Sequence, residues 1–177
     1  YVACMKYWDE ALSLWVQLQE RERIAGVHRK MAGVLWDDMG DVVKATGHHK
    51  EALKLLEAEP KSIELASLYE DMAHMYLLSE DATKALSWAE RALDLAKELN
   101  AQEVVAGSYA TLGRILINTG DVEKAVECLE RALKMALDND YVETALWAYS
   151  QLPGALPVEK YERRLECYEK GYELAKK

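Results

Sequence analysis

One pattern returns along this chain every 40 residues, and it constrains the fold more than any other feature. Tyr109, Leu112, Gly113 and Leu116 lead to Gly120-Asp121 and then to Ala125, Leu129 and Ala132. Forty residues earlier, Tyr69, Met72, Ala73 and Tyr76 lead to Glu80-Asp81, Ala85, Ala89 and Ala92. Forty before that, Ala32, Gly33 and Trp36 lead to Gly40-Asp41, Ala45, His49 and Ala52. An Asp-x-x-Lys-Ala string opens at Asp41, Asp81 and Asp121, and Ala52-Leu53, Ala92-Leu93 and Ala132-Leu133 keep the same phase. A rival register that aligns Thr46-Gly47 with Thr119-Gly120 loses the match of Gly33, Ala73 and Gly113. A fixed period of this length marks a repeat array. One unit cannot bury its apolar face alone, so stacking supplies the core.

Each unit reads as two helices. In the first, apolar residues recur at three- and four-residue steps, as in Tyr109, Leu112 and Leu116. The small residue at 113 admits a close neighbour. Asn118, Thr119 and Gly120 interrupt the pattern, and Asp121 is placed to accept the free N–H groups of the next helix, a device repeated at Asp81 and Asp41. The second helix carries Ala125, Leu129, Ala132, Leu133 and Ala136 on one face and Glu123, Lys124, Glu127, Glu130, Arg131 and Lys134 on the other. That charged face reads as solvated, with Glu127–Arg131 and Glu130–Lys134 as favourably oriented i,i+4 pairs.

The expected architecture is an all-α, right-handed α-α superhelix of helix-turn-helix repeats with about nine helices. A partial repeat covers 1–19, followed by repeats at about 21–59, 61–99, 101–139 and 140–177. Pro153 stands where Gly113 stands one unit earlier, so that helix is expected to stop near 152 and the last one to begin near 158.

Bulk properties set further bounds. Half the residues are hydrophobic, which allows a sizeable core, yet no apolar run reaches the length of a membrane span. With Lys+Arg 22 against Asp+Glu 31 and a net charge of −9, the chain lacks the basic surface that phosphate neutralisation needs, so no direct nucleic-acid role is expected. No signal peptide is visible at the N-terminus. The chain starts without an initiator Met, which suggests a fragment of a larger protein. Cys4, Cys128 and Cys167 are an odd set without ligand spacing, which favours a reducing cytoplasm. Cys128 and Cys167 hold equivalent repeat positions and read as packing residues.

Tyr109, Leu112, Gly113, Leu116, Ala125, Leu129 and Ala132 together resemble the tetratricopeptide repeat family, and the resemblance covers nearly the whole chain. The first and last units depart from it: Arg29 replaces the aromatic, and Pro153 the small residue. The usual period is 34, so a period of 40 lengthens the helices. Long-period arrays of this family look like those beside ATPase or nucleotidyl-cyclase domains in bacterial and archaeal signalling proteins, and the stretch Trp88 to Ala96 is similar in wording. The resemblance implies a concave groove lined by first helices. It also implies a binding scaffold for a peptide, a partner helix or a neighbouring domain within a signalling or transcriptional regulator, with any catalysis elsewhere.

In that register the outward positions of the first helices are Lys30, Val34 and Asp37, then Glu70, His74 and Leu77, then Ala110, Arg114 and Asn118, then Trp147, Ser150 and Gln151. Lys30, Glu70, His74, Arg114, Asn118, Trp147 and Gln151 are the candidate groove-binding residues, because Trp and Arg bury large area and bond directionally. The family members that clamp a C-terminal carboxylate use Lys and Asn in the first unit, Asn in the second, and Lys and Arg in the third; here Lys30 matches but the others fall on Val34, Asp71, Gly107 and Thr111, so no such clamp is expected. No cofactor is expected. No metal site is expected either: His48 and His49 are adjacent and point about 100° apart on a helix. A small-molecule pocket near Arg114 and Trp147, and a homodimer through Trp8, Leu12 and Trp15 at the truncated end, are the alternatives.

Overall fold

A computed structural model of the chain describes residues 2–176, without the side chains of Val2, Ala3 and Asp37; Asp37, one of the outward positions above, therefore lies outside the described side chains. Among the described residues the regular structure is helical throughout: α1 Val2–Leu18, α2 Arg21–Asp37, α3 Val42–Leu56, α4 Ile63–Leu78, α5 Ala82–Glu98, α6 Gln102–Thr119, α7 Val122–Asp138, α8 Val142–Ala155 and α9 Tyr161–Ala175. A single 3-10 turn, Val158–Lys160, precedes α9. The helices fall into two compact units, Tyr1–Asp71 and Met72–Lys177.

The turns repeat as faithfully as the helices. Gly40, Glu80 and Gly120 all take a left-handed backbone, with φ of 65°, 60° and 87°, at the end of α2, α4 and α6. Gln19, Asn100 and Asp140 do the same after α1, α5 and α7, with φ of 58°, 55° and 58°. After most of these positions the next residue sends its N–H back five places, as from Asp81 to Tyr76 O at 3.0 Å, Ala101 to Ala96 O at 2.9 Å, Asp121 to Leu116 O at 3.0 Å and Tyr141 to Ala136 O at 2.9 Å; after Gly40, Asp41 reaches back six, to Leu35 O at 2.8 Å. These bonds satisfy carbonyls that a helix end leaves open. Between α3 and α4 the corresponding place is Pro60, whose ring holds φ negative, and the connection there is the longer stretch 57–62.

Two of the three expected aspartate caps form as anticipated. Asp41 accepts from Lys44 N and Asp81 from Lys84 N, each at 3.1 Å. Asp121 occupies the same place but makes no side-chain bond to the helix backbone; its carboxylate is taken by the Lys124 ammonium at 2.7 Å. A second difference concerns Pro153. The helix does not stop near 152 but runs to Ala155, with Pro153 inside its last turn. That turn loses a single backbone donor, and the Leu156 N–H still reaches Leu152 O at 3.0 Å.

Within unit 1, α1 packs on α2 and α2 on α3. Ala32, Leu35 and Ala45 form a small core flanked by Met5 and Trp36. Beside it lies a polar network: Arg29 Nε donates to Glu64 at 2.7 Å and its Nη1 to Asp71 at 3.0 Å. Burial works against the Arg29 charge, but the two carboxylates more than offset this and raise its pKa. His49 is also buried, at 4% exposure.

Within unit 2, α6 packs against α5, α7 and α8, α7 packs on α8, and α8 on α9. Ala125, Leu129, Tyr149, Leu152, Ala155, Leu156 and Cys167 form a continuous core. Gly113 is required by its neighbour, because a Cβ there would stand 2.5 Å from Leu129 Cγ. The Tyr109 ring lies under two cations, Arg131 at 4.5 Å and Lys97 at 5.3 Å. Burial pushes the Cys128 and Cys167 thiols up, which suits packing rather than nucleophilic chemistry.

Candidate partner-binding surface

The surface of interest in unit 2 is built on α6 and α8. α6 carries one buried face of Val105, Tyr109 and Leu112, and packing on three helices buries Val104, Ser108 and Thr111 as well. Arg114 follows Gly113, so its backbone is held close to α7 while its side chain turns toward α8. There, Arg114 Nη1 donates to Gln151 Oε1. Gln151 is oriented in turn by its own Nε2, which donates to Ser150 Oγ at 2.8 Å, and Ser150 Oγ donates to the Trp147 carbonyl at 2.6 Å. Arg114 Nε is buried and has no hydrogen-bond acceptor among the described residues. A buried donor without a partner is costly, and the group that satisfies it gains accordingly.

The remaining expected residues distribute as follows. Asn118 is exposed near the C-terminal end of α6, and Trp147 is half-buried on α8, one turn before Gln151. His74 is half-buried on α4 in unit 2. In unit 1, Glu70 is half-buried on α4, and Lys30 is exposed on α2 at the edge of a cavity of about 400 Å³ shared with Trp8, Trp15 and Arg23. Leu77 and Ala110 are not outward positions: they are 6% and 2% exposed. Counting helical positions treats a first helix as having one free face, whereas α6 in mid-stack is covered on three sides. Asp71, which falls where the carboxylate clamp has Asn, bonds to Arg29.

In unit 2, a cavity of about 420 Å³ lies between α7, α8 and α9 and is lined by Tyr149, Leu152, Cys167 and charged residues, without Arg114 or Trp147. Its rim charges are already paired: Arg163 with Glu130, Lys134 with Asp138 at 2.8 Å, Lys170 with Glu166 at 2.6 Å.

Two features escaped the sequence reading. One is the Arg29 ion-pair network. The other is a pairing of His48 with His28 across α2 and α3, with the two Nδ1 atoms 2.8 Å apart. His49 points elsewhere, with neither ring nitrogen bonded among the described residues. The signal that could have found the pair is the spacing of 20, half the repeat period. That spacing is no general rule, because facing residues of an antiparallel hairpin share a sum of positions rather than a separation: Tyr109 meets Arg131 on α6 and α7 at a spacing of 22.

A sequence model of the tetratricopeptide repeat matches residues 23–98 and, overlapping, 64–138. No curated protein matches the sequence. Among solved structures, the chain is similar to BtubC (BKLC) from P. vanneervenii at 19% identity and a TM-score of 0.76, over 97% of this chain and 71% of that one. It is similar to aspartyl phosphate phosphatase F from Bacillus subtilis at 17% identity and a TM-score of 0.79, over 99% of this chain but 46% of that one. Nearly identical TPR-like repeats assigned to a kinesin light chain of Podosopora anserina follow at 15% identity and a TM-score of 0.65, over 96% and 84%. At these identities the likeness is one of fold.

Proposed function

Because the chain belongs to the tetratricopeptide repeat family, we propose that it is a binding scaffold whose first helices hold a peptide, a partner helix or a neighbouring domain. Members of this family commonly serve protein–protein interaction and generally carry no catalysis of their own. The observation that carries the reading is Arg114: a guanidinium steadied by Gln151, with a buried Nε that lacks an acceptor. A partner carbonyl or carboxylate laid along α6 and α8 pairs with the part of this half-buried side chain that solvent reaches. Trp147 then supplies apolar area, and Asn118 an amide that can pair with a peptide backbone. Arg and Trp are the residue types that most often dominate such interfaces.

In this reading the chain is one array, with a partial repeat at 1–19 and repeats at about 21–59, 61–99, 101–139 and 140–177. Lys30, Glu70 and His74 add polar contacts on their own helices. The partner is protein or peptide rather than nucleic acid, and the setting is a cytoplasmic signalling or transcriptional regulator. The 40-residue period and the wording of Trp88 to Ala96 support that setting by their resemblance to arrays that accompany ATPase and cyclase domains. The small-molecule alternative gains no support from the 420 Å³ cavity, which lies away from Arg114.

The test compares the unaltered chain with an Arg114→Ala/Trp147→Ala double variant. Each is used to capture partners from a cytosolic lysate, and each captured protein is then titrated in purified form. A partner bound by the first and lost by the second is the expected result. Equal binding by both removes the α6–α8 surface as the recognition face.

A further inference from the structure

His28 and His48 meet at a point that neither the core nor the α6–α8 surface uses. Their Nδ1 atoms are 2.8 Å apart, the ring centroids 5.0 Å apart, and the ring planes tilted by 40°. Both side chains are half-buried, so the pair is held in place and still reachable from solvent. We propose that His28 and His48 are the two protein ligands of a divalent transition-metal site of copper or nickel type, bridging α2 and α3.

The spacing is the first argument. Two imidazole nitrogens at ~2.0 Å from one ion and at a right angle to each other stand ~2.8 Å apart. That matches the observed Nδ1 to Nδ1 distance of 2.8 Å. Cis nitrogen ligands at a right angle belong to tetragonal sites, the geometry preferred by Cu(II) and Ni(II).

Tautomer chemistry is the second argument. Without an ion, the contact holds only if one Nδ1 carries a proton and the other does not. A metal cation removes that restriction, because it accepts both lone pairs at once when the rings turn to aim them at a common point. Burial holds both imidazoles below their ordinary pKa, so they are neutral, as ligands must be, at physiological pH.

The surrounding charge is the third. Asp9 on α1 is near enough to His48, and Glu51 on α3 near enough to His28, to favour positive charge on those rings. The same carboxylates offset the charge of a bound dication. Among the described residues no three His, Cys, Asp or Glu side chains already converge as a metal cluster. The site is therefore two imidazoles with its remaining positions open to water or to a donor from outside the chain. His49 takes no part: it follows His48 directly on the helix and is buried on another face.

The experiment is a titration of the purified chain with copper(II) and nickel(II) chloride, followed by calorimetry and, for copper, by electron paramagnetic resonance. The expected result is one imidazole-bound ion per chain with hyperfine structure from two nitrogens. His28→Gln and His48→Gln should each weaken binding at least about tenfold, since even outer partners of a metal cost that much when lost. His74→Gln, on α4, should leave it unchanged. Binding that is indifferent to both substitutions overturns the site, as does an affinity of the unaltered chain equal to that of a His28→Gln/His48→Gln double variant. Circular dichroism without metal establishes that the variants fold. A readout free of variants is protection of His28 and His48 in the unaltered chain from diethyl pyrocarbonate by copper(II); unchanged modification also overturns the proposal.

Discussion

The same repeat position is solved in two chemically different ways in the two units. At 129 in unit 2, Leu129 is wholly buried and presses on Gly113, which leaves no room for even a Cβ. Two repeats earlier, in unit 1, that position is His49, buried without a hydrogen-bond partner for either ring nitrogen among the described residues. The counterpart of Gly113 is Gly33, and a Cβ there would meet nothing within 4 Å. The aromatic Tyr109 under its two cations is answered in unit 1 by Arg29 between two carboxylates. The backbone plan is common to both, but at this position unit 2 is apolar and tightly fitted, while unit 1 is polar and has slack. A repeat thus fixes where side chains go, while leaving the composition of each interior free to vary.

The largest expected effect tests the tight side. Leu129→Asp places an unpaired charge in the unit 2 core and should cost more than about 4 kcal/mol, enough to melt α7 and α8. Hydrogen exchange should show lost protection from Met72 onward, and a normal urea curve would mean that the core register is wrong.

Acid should test the polar side. Burial first, then Arg29 and His48, hold the folded-state pKa of His49 at about 4, against 6.5 for the free side chain. Between those values the unfolded chain binds a proton that the folded unit refuses. Stability is therefore unaffected above about pH 6.5 and falls as the pH drops toward about 4. The limit of the loss is about 3 kcal/mol, and His28 and His48, shifted the same way, add to it. His49→Leu should flatten the acid dependence of unit 1 and raise its midpoint at neutral pH. A melting profile with the same pH slope in this variant would show that His49 is not its source.

Methyl groups at the paired glycines sharpen the contrast. Gly113→Ala should destabilise unit 2 by about 1–3 kcal/mol through overpacking against Leu129. Gly33→Ala should instead stabilise unit 1 by up to about 1 kcal/mol, from helix propensity alone. Shifts of equal sign in urea titrations would erase the distinction between the interiors. The smallest effect is a control: Gly40→Ala and Gly120→Ala both demand a left-handed alanine and should each cost about 1 kcal/mol, the same in either unit.

Much of this molecule was legible because its information is local. The 40-residue spacing pointed to the nine α-helices seen among the described residues, and Asp41 and Asp81 marked helix starts that the structure keeps within a residue. Asp121 keeps the same lysine partner as Asp41 and Asp81 but not their bond to the helix backbone, a difference that periodicity does not show. Pro153 was read as a stop when a last turn can absorb it. The candidate surface was legible in part: outward counting brought forward Arg114 and Gln151, which do meet, but it also included Leu77 and Ala110, which are buried. Arg29 was noted only as a departure from the family pattern. Its partners, Glu64 and Asp71, lie on another helix, and helical periodicity says nothing about what faces a residue from outside its own helix. The same blindness hid His28 behind the more conspicuous His48-His49 pair.

The packed pairs also bear on how the chain comes to be folded. Within each unit every such pair joins helices that are neighbours in the chain or separated by one. The loops to be closed are short, and closure entropy grows only as the logarithm of loop length. Low contact order of this kind belongs to folding in the microsecond-to-millisecond range. A hairpin fastened by a left-handed turn, such as α2–α3 or α6–α7, is a kinetic seed from which order spreads to the next helix along the chain. A nascent chain can therefore begin to fold as soon as two helices have emerged, without waiting for a distant partner.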